Sequence, residues 1–523
     1  MSAPALRDEI LGGRLARPGH DGLALQGFLR DDRGALSGWF GAEAAGLGAD
    51  AVRLRCRVDR DVATIDGLIA AQLDAVLHHP RLQRLEGSWR GLAWLVEGVE
   101  PGTRLRIRLL SAGWEEIERD LARVVEFDQS ALFRHLYENE FGSPGGEPFG
   151  LLVVDHELRH VPRPRGAGRS APVDDVSVLG HLADIAAAAF LPMVLAADPV
   201  LLGVDRFEDL ALAHDAAAAL GDGEHARWRA LAARENARFL CVTMPRVLAR
   251  PRWRSELLAV SGLRYEEHAP AGRHRCWSVA GYAFAATVVR AQAAFNWPAD
   301  IRGIATDRVG GALVQDLPGE PVVLGAGTRW DRPPLDLALT DRQERALVLA
   351  GLMPLNTLPY GDAGFAAVHS MQSRETQSRE AGRREMQFRE AGAREAGAAW
   401  REPSPAAANA RIATQVNSML CASRFAHFIK IIARNLTGAS LTAEAIERRL
   451  QAWLAGYVNA SQSADADSRA KYPLVSGRVG VHALPDRPGS FGCVVHLQPY
   501  HQLDDVAATF RLVTEFSATG SRA

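Results

Sequence analysis

The sequence predicts a multidomain α/β protein, with mixed sheets flanked by helices and a C-terminal domain rich in β-strands. Three observations support this fold class. The 523 residues are too many for one typical core, so two or three domains are expected. Runs typical of strands and of helices alternate between residues 104 and 154. Near the end of the chain, two alternating apolar runs flank the turn sequence PDRPGS, which is a hairpin signal.

The composition is that of an ordinary globular protein, with 47% hydrophobic and 23% charged residues. A formal net charge of −2 gives no field that would favour nucleic acid or a membrane surface. No apolar run reaches the roughly 18 residues of a membrane span, and the N-terminal residues lack the apolar core of a secretory signal. Five scattered cysteines without a C-x-x-C pair suit a reducing compartment. We therefore expect a cytoplasmic protein with no membrane insertion and no nucleic-acid partner.

Changes in composition divide the chain into four parts. Residues 1–61 are rich in Gly, Ala and Arg and are predicted to form a surface segment. Residues 62–370 are predicted to form the main α/β domain. An insertion or linker is predicted at 371–405, and residues 406–523 are predicted to form a helix pair and a β-rich C-terminal domain.

Hydrophobic periodicity predicts the order of the elements. A helix is predicted over 62–79, with Ile65, Leu68, Ile69, Val76 and Leu77 on its apolar side. Strict alternation over 104–109 predicts a half-buried strand with an arginine face. Further helices are predicted at 114–125, 127–141, 174–197, 228–240, 276–297, 341–351, 409–435 and 441–458, and further strands at 151–154, 478–497 and 508–516.

A second helix is predicted to start at Pro80, because the missing N–H of proline would be unpaired at a first helical position anyway. Gly98 follows the last apolar residue and can end the helix in a left-handed conformation. One apolar stripe predicts that this helix is buried. Its members are Leu82, Leu85, Trp89, Leu92, Leu95 and Val96.

Two further pairs on the same helix have a predicted role. Glu86 and Arg90 are four residues apart, with Glu first, which predicts an ion pair on the exposed side. Gly87 and Gly91 lie one turn apart and would allow another backbone to approach closely.

Residues 373–397 repeat every five residues, with Arg-Glu at the centre of each repeat. On a helix, each Glu pairs with an Arg four residues later and contributes about 0.2–0.5 kcal/mol, whereas each glycine costs about 1 kcal/mol. The two effects nearly cancel, and a period of five forms no coiled-coil seam. A solvated helix or a disordered linker is therefore predicted.

The sequence His156-Glu157-Leu158-Arg159-His160 matches the H-E-x-x-H pattern of zinc metalloproteases. That chemistry needs a helix, so that both histidines reach one metal while the Glu acts as the base. Here the motif directly follows the apolar run LLVVD, and two prolines come soon after it. On a strand, residues four apart lie about 13 Å from each other. A strand end or loop is therefore predicted, with a zinc metallopeptidase as the alternative.

Other catalytic patterns are absent from the sequence. It has no P-loop, no G-x-G-x-x-G after a strand and no G-x-S-x-G elbow. The carboxylate pairs Asp174-Asp175 and Glu266-Glu267 are interpreted as solvated loop charges. These observations predict a structural protein, with no enzyme activity, no cofactor and no metal.

The run LHHPRLQRLEGSWRGLAWLV contains His79, Pro80, Leu85, Glu86, Trp89, Arg90 and Gly91. This run resembles the signature of the large subunit of the type VI secretion contractile sheath, the TssC/VipB family. The helix sequence SRFAHFIKIIARNLTG, which contains Arg424 and His427, is also similar. So are GSPGGEPFG, VTMPRVL, CWSVAGYAFA and RPGSFGC…LQPYHQLDDVAATFRLV. Together these stretches span residues 62–516 in the order of the family.

The resemblance implies a non-enzymatic assembly protein. Large subunits of the family pair with a small subunit of the TssB/VipA type and stack into a helical sheath around a tube of Hcp hexamers. The implied partners are therefore this small subunit, Hcp, the baseplate, further copies of the chain and a ClpV-type AAA+ ATPase that dismantles the contracted sheath. The sequence departs from the family pattern at 155–170, at 250–270 and in the pentad repeats. An accessory or regulatory sheath-like paralogue is therefore the alternative.

Two sets of residues are predicted to make the contacts between subunits. The C-terminal strands would pair with strands of neighbouring subunits, because strand addition gains affinity through main-chain hydrogen bonds. The residues predicted for these strands are Val479, Val481, Val494, Leu497, Phe510, Leu512 and Val513. The resemblance also implies a short helix against the inner tube, at Leu503, Asp504 and Asp505. Simple N-capping by either aspartate is the alternative role of those carboxylates.

Overall fold

The computed structural model describes residues 6–13, 34–143, 145–163, 173–254, 262–269, 272–304, 309–323, 329–332, 334–358, 362–372, 414–436, 442–461, 465–483 and 491–500. Helices and strands alternate along these residues and form several small sheets, which confirms the predicted α/β class. The pentad repeats and the final strand predicted at 508–516 lie outside the described residues.

The described residues contain fourteen α-helices. They are α1 Leu6–Leu11, α2 Ala35–Phe40, α3 Ala44–Gly48, α4 Ala51–Leu77, α5 Pro80–Glu97, α6 Trp114–Ala122, α7 Ala131–Phe133, α8 Asp175–Ala189, α9 Ala226–Ala232, α10 Gly281–Phe295, α11 Asp341–Leu349, α12 Val416–Leu436, α13 Ala443–Ala455 and α14 Ala466–Lys471. Helix α7 continues as a π-helix over Arg134–Gly142. Short 3₁₀ segments lie at Gly41–Glu43, Phe127–Gln129, Pro199–Leu202, Phe207–Leu212, Ala218–Gly221, Gly223–His225, Glu235–Phe239 and Gly272–His274.

Thirteen strands lie in the same described residues. They are β1 Leu152–Leu158, β2 Met193–Ala197, β3 Leu240–Met244, β4 Val247–Leu248, β5 Trp277–Ser278, β6 Leu313–Val314, β7 Glu320–Val323, β8 Arg329–Arg332, β9 Met353–Pro354, β10 Asn356–Thr357, β11 Ala363–Gly364, β12 Leu474–Ala483 and β13 Phe491–Pro499.

The chain divides into two compact units. One consists of Met1–Gly87 with Arg250–Trp277, and the other of Ser88–Ala249 with Ser278–Ala523. The predicted boundary after residue 61 falls inside α4, which starts at Ala51. It starts there because the Asp50 carboxylate accepts hydrogen bonds from two backbone amides of the first turn.

In the first unit, α4 is tied to the N-terminal helices by a buried carboxylate. Asp61 is 3% exposed, and the Arg7 guanidinium donates to it at 2.6 Å. The indole N–H of Trp39 donates to the same carboxylate at 2.9 Å. Hydrogen bonds from Arg7 hold the pKa of Asp61 below its usual value, although burial opposes this shift.

A four-stranded sheet in the order β1-β2-β3-β9 forms the centre of the second unit. All three neighbouring pairs are parallel. Every residue of β2 and of β3 is buried, as expected for a parallel sheet covered on both faces. Helices α8 and α9 contribute to the core on this sheet, and α10 packs against β1 and β2.

Two predicted helices were too long. The helix predicted over 174–197 ends at Ala189, where Phe190 takes a left-handed conformation, and 193–197 form strand β2. The helix predicted over 228–240 ends at Ala232. Strand β2 is a fully buried apolar run without alternation, which periodicity alone does not distinguish from a helix. After Ala232, a 3₁₀ segment at Glu235–Phe239 leads into β3.

The strand predicted over 104–109 is wrong, because these residues lie outside every helix and strand that the structure describes. Their arginines make side-chain ion pairs. Arg106 donates to Glu147 at 2.8 Å, and Arg108 donates to Glu140. The alternation of arginine and apolar residues over 104–109 therefore comes with ion pairs of Arg106 and Arg108 and does not mark a strand.

The C-terminal part confirms the predicted helix pair and hairpin. Strand β12 pairs with β13 in antiparallel register over nearly their whole length. The sheet packs on α13, where Leu450 and Leu454 are buried with Leu474 and Val479. Helix α12 joins the same core through Phe425, which is fully buried.

Candidate functional site

The H-E-x-x-H residues lie on strand β1 and just after it, as predicted for a strand end. His156 stacks on Trp114 with ring centroids 4.0 Å apart. Glu157 forms a bidentate ion pair with Arg246, which includes a 2.9 Å contact. His160 stacks on a different ring, that of His225, at 3.7 Å. The three side chains therefore have three separate environments and share no centre.

No three His, Cys, Asp or Glu residues in the described ranges are grouped so that they could hold a metal ion. The charges beside the motif form ion pairs at the carboxyl ends of the parallel strands. Asp175 accepts from the backbone N–H of Arg159 at 2.9 Å, and Asp198 pairs with the Arg159 guanidinium at 2.9 Å. The predicted solvated loop charge at Asp175 is therefore wrong, since this carboxylate is 1% exposed.

The pKa values of two buried carboxyls in this region shift in opposite directions. Burial raises the pKa of Asp336 to about 8, although the nearby Arg246 opposes this shift. Burial would also raise the pKa of Asp175. Hydrogen bonds and charge from His156, the Arg159 amide and the Arg163 charge nevertheless lower it below its usual value. Asp175 thus remains a carboxylate within the ion-pair cluster.

The signature residue Glu86 belongs to a buried ion-pair cluster in the first unit. The Arg250 guanidinium donates to Glu86 at 2.7 Å and to Glu267 at 2.6 Å. Glu267 is also 3.2 Å from the His78 ring nitrogen. Glu86 is largely buried and not on the exposed side as predicted, and Glu267 is not a solvated loop charge.

The periodicity of the sequence does not reveal Arg250 and Glu267, which complete this cluster. They lie 164 and 181 residues after Glu86 in the sequence. The only local signal is that Arg250 follows three apolar residues in the run VLARPRW. Burial alone would lower the pKa of Arg250, but its hydrogen bonds to Glu267 and Glu86 raise it.

Gly91, in the same signature, is buried in the second unit. A Cβ atom at Gly91 would lie 2.2 Å from the Ser278 Oγ and 2.6 Å from a ring carbon of Tyr282. The Tyr282 hydroxyl in turn donates to Asp155 at 3.1 Å. Gly91 is therefore approached closely by side chains of β5 and the start of α10, and not by another backbone as predicted.

Two further signature residues, Arg424 and His427, hold α12 in place. The His427 ring Nε2–H donates to the Ala189 carbonyl at 3.0 Å and is completely buried. Burial lowers the pKa of His427 to about 4. The Arg424 guanidinium lies 4.9 Å from the Phe428 ring centroid. These residues have a packing role.

The remaining signature residues lie nearer to solvent. His79 precedes α5, and Pro80 is its first residue, as predicted. The predicted burial of the apolar stripe is only partly correct, because Leu85 is 55% exposed and Trp89 is 56% exposed. Arg90 lies partly buried on the same helix.

Helix α4 also leaves apolar side chains uncovered. Val58, Val62, Ile69 and Val76 are all exposed, and Ile65 is half-buried. The sequence correctly placed several of these residues on one apolar side of the helix, but that side is not covered by the described residues of this chain.

The hairpin residues predicted to join subunits point in different directions. Val479 is 3% exposed, and Val481 and Leu497 pack on the same core. Val494 is exposed. Phe510, Leu512 and Val513, and the predicted tube contacts Leu503, Asp504 and Asp505, lie outside the described residues.

No helix in the described residues is both long and apolar enough to cross a membrane.

Comparison with known protein families gives two matches that together cover most of the chain. Residues 59–375 match the VipB model, described as the EvpB tail sheath N-terminal domain. Residues 405–516 match a second VipB model, described as the tail sheath gpW/gp25-like domain. The residues between the two matches include most of the pentad repeats.

A curated protein and a solved structure are also similar. The type VI secretion system sheath protein TssC1 of Pseudomonas aeruginosa is 30% identical over 464 residues, which cover 88% of this chain and 85% of that protein. A chain in the cryo-EM structure of the anti-feeding prophage baseplate is 8% identical, with 77% of this chain and 81% of that chain covered and a TM-score of 0.31. That score is too low to indicate a shared fold.

Proposed function

Because this chain belongs to the VipB family of type VI secretion sheath proteins, as a large subunit of the contractile sheath, we propose that it pairs with a small sheath subunit of the TssB/VipA type. The pairs polymerise around a tube of Hcp in the cytoplasm. Contraction of the polymer drives the tube outward from a baseplate, and a ClpV-type AAA+ ATPase then dismantles it. The role of the chain is structural and needs no catalytic residue.

One observation carries this proposal: sheath family models match residues 59–375 and 405–516 in order. The local chemistry is consistent with it. Glu157, the residue that a metallopeptidase would need as a base, is paired with Arg246. Gly91 leaves room for the Ser278 and Tyr282 side chains, His427 donates to the Ala189 carbonyl at the end of α8, and Arg424 donates to the Pro148 carbonyl. Subunits joined by heterologous contacts form open helical filaments, which suits a sheath.

We propose that the C-terminal strands join neighbouring subunits. The sheet of β12 and β13 has only two strands among the described residues, so each strand has one edge at which a further strand could pair. One face of this sheet already packs on α13, so added strands would pair through their backbones. Truncation after Gln502 should leave the complex with the small subunit soluble but unable to polymerise. Full-length sheaths formed by the truncated chain would contradict this proposal.

The inner tube contact is proposed at Leu503, Asp504 and Asp505. Exposed ion pairs contribute only about 0–1 kcal/mol each, which suits a contact that must break during contraction but recurs along the sheath. Reversal of both charges, Asp504→Lys with Asp505→Lys, should still allow pairing with the small subunit. It should impair assembly around the tube in a salt-dependent manner. Wild-type secretion of Hcp by the double variant would leave only an N-capping role for these aspartates.

The proposed function is tested by complementation. A strain that lacks its sheath large subunit but produces the matching small subunit should regain Hcp secretion when this chain is supplied. The alternative, an accessory sheath-like paralogue, is motivated by the pentad residues that lie between the two family matches. A soluble chain that binds the small subunit but does not restore secretion would favour that alternative.

A further inference from the structure

The last histidine of the H-E-x-x-H run belongs to a buried stack of two imidazole rings. The ring centroids of His160 and His225 lie 3.7 Å apart, with 27° between the ring planes. The two residues are only 9% and 3% exposed. His160 follows strand β1, whereas His225 ends the 3₁₀ segment Gly223–His225 that leads into α9. The stack therefore joins two segments of the second unit that are distant in the sequence.

Hydrogen bonding in the stack suits two neutral rings. The His225 Nε2–H donates to the Leu201 carbonyl at 2.9 Å, because a carbonyl oxygen can only accept. The Nδ1 atoms of both rings are buried, and neither has a hydrogen-bond partner among the described residues. A neutral imidazole carries one N–H, so a bare Nδ1 on His225 is consistent with that state. A further proton on this nitrogen would add a charge and a buried N–H that no described residue accepts.

Glu224 gives the stack only weak compensation for a positive charge. Its Oε2 atom is 4.0 Å from the His160 Nε2, which is beyond hydrogen-bond distance, and its side chain is 84% exposed. Burial lowers the pKa of His160, the neighbouring His225 lowers it further, and the Glu224 charge opposes this shift. Two protonated rings would also repel each other at this separation. Acidification is therefore expected to disfavour the stack.

Other charged groups on the elements that meet near the stack have partners of their own. These are Arg159 with Asp198, Arg163 with Asp175, Glu157 with Arg246, Arg227 with Asp174, and Arg229 with the Leu220 carbonyl. Each of these carboxylates faces a guanidinium, so its charge is largely balanced before a histidine takes up a proton.

We propose that the stack of His160 and His225 is an acid-sensitive latch, closed at neutral pH and opened by acidification. Through the stack and the hydrogen bond to Leu201, the latch joins the end of β1, the 3₁₀ segment Pro199–Leu202 and the start of α9. When a ring takes up a proton, the segment that carries His225 moves away from β1 and both rings reach water. This inference goes beyond the proposed function, because it gives a structural subunit a local response to pH.

Hydrogen exchange of the purified full chain, measured by mass spectrometry at about pH 7.5 and about pH 5, tests the latch. Rates are corrected for the intrinsic pH dependence of exchange. Peptides that cover 198–204 and 222–229 should then exchange about tenfold faster at the lower pH. The reason is that an exposed histidine has a pKa near 6.5, so in the open state His160 binds a proton that the closed state resists. Peptides from the buried strand β3 are the internal reference and should change less.

His160→Phe is the informative variant, because phenylalanine keeps a ring for stacking and removes the nitrogens that titrate. Its peptides over 198–204 and 222–229 should exchange slowly at both pH values. His135→Phe is the matched control, since His135 is exposed, and it should keep the wild-type response to pH. His427→Gln removes the other buried histidine with a lowered pKa and should also leave the local response unchanged.

Three outcomes would overturn the proposal. Equal corrected rates at the two pH values for the wild-type peptides over 198–204 and 222–229 would show that no latch opens, and this measurement needs no variant. A wild-type response that is as large in β3 as in these peptides would show that acid unfolds the whole unit. A folded His160→Phe chain that responds to pH as strongly as the wild type would assign the response to another group.

Discussion

Substitution of Gly91 by alanine gives the sharpest prediction about the signature helix α5. The new Cβ atom would lie 2.2 Å from the Ser278 Oγ and 2.6 Å from the Tyr282 ring. The serine can rotate, but the tyrosine ring has little room to move. Tyr282 is 9% exposed, packs in a core cluster with Leu95, and donates its hydroxyl proton to Asp155. The added methyl group must therefore shift α5 or the start of α10.

Overpacking of this kind costs about 1–3 kcal/mol, and the severity of the overlap favours the upper half of that range. Alanine is a better helix former than glycine by about 1 kcal/mol, which offsets part of the cost. Gly91→Ala is therefore expected to lower the free energy of unfolding by about 1–2 kcal/mol. Gly67→Ala is the matched control, because Gly67 lies on α4 and a Cβ atom there would have no other atom within 4 Å. It should gain up to about 1 kcal/mol.

Urea denaturation of the purified full chain, with both variants measured beside the wild type, provides the assay. The midpoint of Gly91→Ala should fall and that of Gly67→Ala should rise slightly, with similar slopes for all three proteins. Equal midpoints for the two variants would refute the close approach of α5 and the start of α10.

Three other predictions concern the rest of the chain. Arg250→Ala leaves Glu86 and Glu267 without their shared cation and should cost about 3–5 kcal/mol; a loss below about 1 kcal/mol in urea denaturation would contradict the cluster. His427 has its pKa lowered to about 4, so the unfolded chain binds a proton more readily and stability should fall as pH drops from about 6.5 to about 4. His427→Gln should remove part of that loss, and an unchanged pH profile would count against it. Deletion of 373–397 should leave the melting temperature nearly unchanged, whereas a drop above about 5 °C would show that the segment packs.

The sequence predicted local elements better than their partners. Helix α5 begins at Pro80 and ends at Glu97 as its proline, glycine and apolar spacing indicate. Spacing predicts a pair between Glu86 and Arg90, one helical turn away, because only near neighbours can be inferred from spacing. It cannot predict that Arg250 also donates to Glu86, since that contact depends on the fold.

Burial was the property that sequence pattern predicted least well. Strand β2 was assigned to the end of a helix because five consecutive apolar residues carry no period. The sequence predicts an apolar side of α4, yet Ile69 and Val76 on that side are exposed. Periodicity shows that a face is apolar, but it does not show whether the same chain or another subunit covers that face.

Electron microscopy of this chain co-expressed with its small sheath subunit tests the proposed function most directly. We expect the two proteins to purify together and to form hollow helical tubules. A soluble, folded chain that purifies without the small subunit and forms no tubules would contradict its assignment as a working sheath subunit.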